Sequence, residues 1–265
     1  MINIIRSINY STRKNLAVFI AIIAMIGLPV LMAGMVLGTS LTDMDGAEYY
    51  IKAISEAFFI VVFASLTLSC IPSYGDAGDR TLNYEIMAGH GRSRIFLARM
   101  ISGLFWGVII LAVLYYYPFV LFGCIGGWYK GVSIQDVACR VLLSLLPMFR
   151  ISAFAIMMSS LFRSAGKGIG FSFLAFELGS ILNEVIVGLM NLKDHEMPWF
   201  MGMLNIAELH HISNCREYVV SGEKVTVYET AIPPYLLWST VIASLVFGII
   251  YLTVAYIDFK KRDRD

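Results

Sequence analysis

From Leu16 to Leu37 the chain runs for twenty-two residues without a charged side chain, and few environments accept such a run. About 20 consecutive apolar residues in a helix match the thickness of a bilayer's hydrocarbon core. Further apolar stretches lie at about 53–74, 100–124, 141–162, 168–190 and 233–257. In hydrocarbon every backbone N–H and C=O has to be paired within the protein, which leaves helices or a closed barrel. A barrel would read as short alternating segments, whereas these runs are continuous. Composition agrees, with 58% hydrophobic and 15% charged residues, more apolar than a soluble domain requires. The expected fold is all-α integral membrane, with residues 1–265 as a single domain of six transmembrane helices.

Ahead of the first span, Met1, Ile4, Ile5 and Ile8 recur at helical spacing with Arg6, Arg13 and Lys14 among the polar positions. That pattern predicts an amino-terminal amphipathic helix lying in the interface. Arg13 and Lys14 before an apolar run also suit a secretory signal, but the length of the run and the spans that follow favour a retained helix.

Thirteen of the twenty basic residues fall on one side of this arrangement: Arg6, Arg13, Lys14, Arg80, Arg92, Arg94, Arg99, Arg163, Lys167, Lys260, Lys261, Arg262 and Arg264. The positive-inside rule makes that side, and both termini, cytoplasmic. Trp128, Tyr129, Trp199, Tyr235 and Trp238 then fall near the outer interface, and Trp106, Tyr251 and Tyr256 near the inner one. Cys70, Cys124, Cys139 and Cys215 have no metal or redox spacing. Cys124 and Cys139 share the outer side, which leaves a disulfide between them open.

The cytoplasmic stretch Gly75–Arg99 is long enough to do more than turn the chain. Asp79 is placed to cap a short helix through Ala88, Gly89 and Gly91 to end it, and Ser93 to cap the next. Leu82 and Ile86, four apart, give that helix an apolar edge for a partner's groove. A solvated connecting loop is the plainer reading of the same residues.

An acidic residue, a glycine-bearing turn and a basic-Ser-Arg triplet leading into the third span, here Glu85, Gly89, Gly91 and Arg92-Ser93-Arg94, resemble the ABC-2 type permeases. The amphipathic amino-terminal helix, six spans and large outer segment between spans five and six are similar too, so the resemblance covers nearly the whole chain. His90, and Arg99 where a lysine is also common, leave the subfamily open. The resemblance implies that Leu82, Glu85, Ile86, Gly89, Arg92 and Arg94 couple the chain to an ABC ATPase subunit. It also implies a second permease subunit, identical or related, with the substrate path between the two. The chain itself would be no enzyme and hold no cofactor, ATP and Mg²⁺ belonging to the ATPase. Ser164-Ala165-Gly166-Lys167-Gly168 lacks the upstream glycine and the following Ser or Thr of a phosphate-binding loop. The location implied is the cell membrane, multi-pass and bacterial, with membrane lipid as a partner and no nucleic acid.

Three charges fall inside spans. Arg150 lies about 18 Å from the inner end of span four, and Glu177 and Glu184 about 13 and 24 Å from that of span five, at 1.5 Å per residue. The two carboxylates share a helical face and bracket the guanidinium in depth. A charge at mid-bilayer costs at least about 2.5 kcal/mol, so all three should face protein or water. A structural ion-pair trio locking spans four and five is the reading put first, and a substrate path the second.

In the outer segment Asn191–Ile232, Asp194, His195, Glu196, Glu208, His210, His211 and Cys215 are metal ligands by type, but their spacing matches no metal motif. Short apolar helices over Pro198–Leu209 are expected instead. The functional expectation is an ATP-driven exporter permease; the alternative is a secondary transporter or channel using Arg150, Glu177 and Glu184.

Overall fold

The computed structural model describes residues 1–37, 58–74, 89, 91–128, 134–190, 209, 215–220, 223–228 and 231–261. Among them, Arg92–Cys124, Gln135–Phe162 and Pro234–Lys261 are long and apolar enough to cross a membrane, and Leu16–Gly27 and Ile60–Tyr74 are shorter apolar helices. The chain is a membrane-embedded helical protein. Its elements are α1 (Ile2–Lys14), α2 (Leu16–Leu37), α3 (Phe58–Tyr74), α4 (Arg92–Leu104), a π-helical segment (Phe105–Ile110) and α5 (Leu111–Gly126). After these come α6 (Ile134–Phe162), α7 (Ala165–Met190), strands β1 (Cys215–Val220) and β2 (Glu223–Tyr228), and α8 (Pro234–Lys261).

Several helices outrun their apolar stretches, through packing or through charges that suit the helix ends. The helix holding the third stretch begins at Arg92, since Ile95 and Ala98 are buried against α1. α6 begins at Ile134, with Asp136 in its first turn, where a carboxylate complements the helix dipole. α8 runs to Lys261 with Lys260 and Lys261 in its last turn, the matching arrangement at a carboxyl end.

The amphipathic pattern at the amino terminus becomes α1, with Ile4, Ile8 and Thr12 buried. Ile4 and Ile8 pack on Ile95 and Ala98 of α4, each buried isoleucine contributing roughly 1.5–3 kcal/mol. Asn9 Oδ1 accepts a 3.0 Å hydrogen bond from Trp106 Nε1 in the π-helical segment. Trp106 is therefore buried within the protein and does not belong to an interfacial belt. On the outward face, Lys14 Nζ sits 4.4 Å from the centre of the Tyr10 ring.

α3 is the central helix, packed against α2, α4, the π-helical segment, α6 and α7. Its small polar residues Ser65, Thr67, Ser69 and Ser73 are all buried. Gly103 and Gly107, four apart, lie against them: a Cβ on Gly107 would overlap Ser69 Oγ and approach Ser152 Oγ to 2.5 Å, and one on Gly103 would overlap Ser73 Oγ. Small residues at this spacing let helix backbones approach closely within a bilayer, where apolar burial does not drive helices together. A π-helical turn adds a residue to the helical frame, so the face α4 turns to α1 is not the face α5 presents to α2, where Tyr117 donates its hydroxyl to the Ile26 carbonyl.

Between α6 and α7 the chain turns at Arg163, whose φ of 51° lies in the left-handed region. Ser164 then caps α7, its Oγ accepting from Lys167 N at 3.5 Å. Gly168, which in sequence only evokes an incomplete phosphate loop, is a packing residue: a Cβ there would come within 2.7 Å of Ser159 Cα. At the end of α5, Gly127 adopts φ 87°, and Trp128 packs edge-on against Phe119 at 5.1 Å.

The expected all-helical architecture gains one exception, an antiparallel hairpin in which β1 pairs with β2 from Cys215↔Tyr228 to Val220↔Glu223. Only Ser221 and Gly222 separate the strands in sequence, and both strands are rich in Val and Tyr, residues suited to a pleated surface. The expected helices over Pro198–Leu209 lie outside the described residues, apart from Leu209.

Candidate functional site

At one end of the bundle, the start of α4 meets the end of α8. Gly91, Arg92, Ser93, Arg94, Tyr256, Phe259 and Lys260 line an open cavity of about 490 Å³ there. The aromatic floor is continuous, with Phe96 5.5 Å from Tyr256 and 5.3 Å from Phe259. The helix cap is Gly91, in extended geometry. Ser93, expected to cap, lies inside the helix with its hydroxyl 3.3 Å from that of Tyr256. Behind the groove, Tyr74 donates to Ser160 Oγ at 2.9 Å, and Ser160 Oγ is 3.2 Å from Asp258 Oδ2. These bonds tie α3, α6 and α8 together.

Arg99, read from sequence as part of a cytoplasmic loop, is instead buried within α4 and donates to the Ser73 carbonyl at 3.3 Å. That carbonyl lies in the last turn of α3, where intrahelical donors run out and a cation is favoured. Arg140 is likewise buried, donating to the Leu209 carbonyl.

Of the residues read as coupling positions, the structure brings Arg92 and Arg94 to the groove. Gly89 lies just before it, exposed and with φ 81°, a conformation that glycine adopts without strain. Leu82, Glu85 and Ile86 lie outside the described residues.

Arg150 is 2% exposed, and its Nε and Nη2 find no hydrogen-bond partner among the described residues. It faces α8, close enough to Tyr251 for the two to interact electrostatically, while Phe154 one turn on packs edge-on against the same ring at 5.2 Å. Among the described residues no carboxylate pairs with Arg150. Glu177 is half-buried on α7 and forms no ion pair with it; the Glu184 side chain is outside the described residues. Depth along a helix leaves its rotation undetermined, and α6 turns this position toward Tyr251 of α8.

Cys124 and Cys139 are free thiols and exposed, and Cys70 is free and buried. Asp194, His195, Glu196, Glu208, His210 and His211, together with the Cys215 side chain, fall outside the described residues. The glycine–serine contacts and the buried Trp106 escaped the sequence reading, although Gly103-x-x-x-Gly107 and Ser65-x-x-x-Ser69-x-x-x-Ser73 carry a visible small-residue spacing. Comparison with protein-family models, with curated proteins and with solved structures gives no match.

Proposed function

We propose that the chain is the permease subunit of an ABC transporter, an exporter, with six spans and both termini cytoplasmic. Two such subunits would form the substrate path between them, and a separate ATPase subunit would bind ATP and Mg²⁺. The observation that carries this reading is the docking of α1 on α4, through Ile4 and Ile8 on Ile95 and Ala98 and through Asn9 on Trp106. α4 begins at Arg92, within the segment Glu85–Arg94 read as the coupling element. A push on that segment would reach α1 and α4 as one unit, and then α3 through the Gly103 and Gly107 contacts with Ser73 and Ser69. Close packing of this kind shifts between discrete arrangements and does not deform smoothly.

The test is co-purification with an ATPase and substrate-stimulated hydrolysis in reconstituted vesicles, for the wild type and for Glu85→Lys, Arg92→Gln and Arg94→Gln. Loss of ATPase association or coupling with the spans still folded is the expected result; wild-type coupling in all three variants refutes the role. Arg150 supports a second reading, a secondary transporter or channel, because a buried guanidinium with unmade hydrogen bonds is suited to meet a transported anion. Transport that proceeds without an ATPase and fails in Arg150→Met would favour it.

A further inference from the structure

The groove between α4 and α8 has a chemistry of its own, independent of any ATPase. Arg92, Arg94 and Lys260 bring three cationic side chains to one cavity of about 490 Å³, and all three are exposed at its rim. The Ser93 and Tyr256 hydroxyls add donors within the same cavity. At the start of α4 the first backbone N–H groups have no intrahelical partner, which adds partial positive charge at the Gly91 edge.

Below this basic mouth the surface turns apolar along both helices. On α4 the face of Arg94 continues through Leu97, Ile101 and Phe105, all exposed, at steps of three and four residues. On α8 the face of Lys260 continues back through the exposed Ile257, Val254 and Ile250. A cationic cavity on top of two apolar stripes matches an amphiphile whose head is anionic and whose tails are hydrocarbon. Both stripes belong to helices apolar enough to cross a membrane, so a lipid head held in the mouth places its own acyl chains along them, a contact that a free anion does not make.

We propose that this groove binds the phosphate of an anionic glycerophospholipid, with Arg94 and Lys260 pairing with its oxygens and the acyl chains lying along Leu97–Phe105 and Ile250–Ile257. Arg contributes bidentate phosphate geometry and Lys a mobile point charge. Tyr256 and Phe259 form the floor on which the glycerol backbone rests.

The experiment titrates the full-length protein in neutral detergent with phosphatidylglycerol, phosphatidylcholine or inorganic phosphate and follows the thermal unfolding midpoint. Phosphatidylglycerol is expected to raise the midpoint saturably, and the other two to leave it unchanged. Arg94→Gln and Lys260→Gln should each weaken the apparent lipid affinity about fivefold, and Lys260→Arg should retain it. Arg13→Gln, on α1 and away from the groove, should bind as the wild type does. A midpoint insensitive to phosphatidylglycerol overturns the proposal and leaves the groove to an acidic protein partner. An equal response to inorganic phosphate overturns the lipid assignment in favour of a soluble phosphate. An equal loss in Arg13→Gln reduces the effect to diffuse surface charge and overturns the site.

Discussion

Ser69 on α3 and Arg150 on α6 are equally enclosed, yet they sit in regions built differently. Around Ser69 the helices are held apart only by glycine and hydroxyl groups: Ser73 Oγ donates to the Ser69 carbonyl at 2.8 Å, Thr67 Oγ1 donates to the Phe63 carbonyl at 2.9 Å and Ser65 Oγ lies 3.3 Å from Ser152 Oγ, while Ser69 Oγ and Ser102 Oγ, both neutral, have no partner among the described residues. The polar atoms there serve as small filler, and the backbone-to-backbone approach is what is gained. Beside Arg150 stands Tyr251 of α8, packed edge-on against Phe154, and the guanidinium Nε and Nη2 are unpartnered among the described residues. An unmet neutral hydroxyl costs about 1–3 kcal/mol and an unmet charged group more. Close packing therefore accounts for the first region, whereas nothing in the packing of the second calls for a cation. Buried hydroxyls that let backbones approach are explained by packing, whereas the Arg150 charge is the one that the proposed transport readings would use.

The largest effect that tests this contrast is Gly168→Val. The atoms it would strike are the Ser159 backbone, which cannot rotate away, so a loss of about 3 kcal/mol is expected from overpacking. Gly107→Ala strikes serine side chains that can turn aside in part, and about 2 kcal/mol is expected. Unfolding midpoints in detergent order the two, and a neutral Gly168→Val would show the α6–α7 contact to be looser than described. Arg150→Met has the opposite sign. It removes a cation with unmade bonds and fills its space, and should stabilise the protein by about 1 kcal/mol while impairing transport. A marked fall in stability instead would place Arg150 with the structural seam and end the contrast. The smallest change is Asn9→Ala, which removes the acceptor of Trp106 and should cost about 1 kcal/mol. Its readout is the quenching of Trp106 fluorescence by an aqueous quencher, expected to rise as α1 loosens and to stay flat if Ile4 and Ile8 hold the helix alone.

Apolar run length determined, from sequence alone, that this chain is helical and membrane-embedded, because a backbone in hydrocarbon has to pair its own polar groups whatever surrounds it. The periodicity of Ile4, Ile5 and Ile8 determined α1 for a similar reason: a helix next to water reveals its buried side in its residue pattern. Inside the bundle that signal disappears, since α3 is buried from Ala64 to Tyr74 and apolar or small at nearly every position. Only the tertiary structure decided that Arg99 closes the end of α3 and that Trp106 answers Asn9. It alone decided that Gly168 meets Ser159 and that Arg150 turns toward Tyr251 on α8. Sequence fixes how far along its helix each of these residues lies, whereas its partner depends on how that helix is rotated against its neighbours, and rotation is set by contacts between residues far apart in the chain.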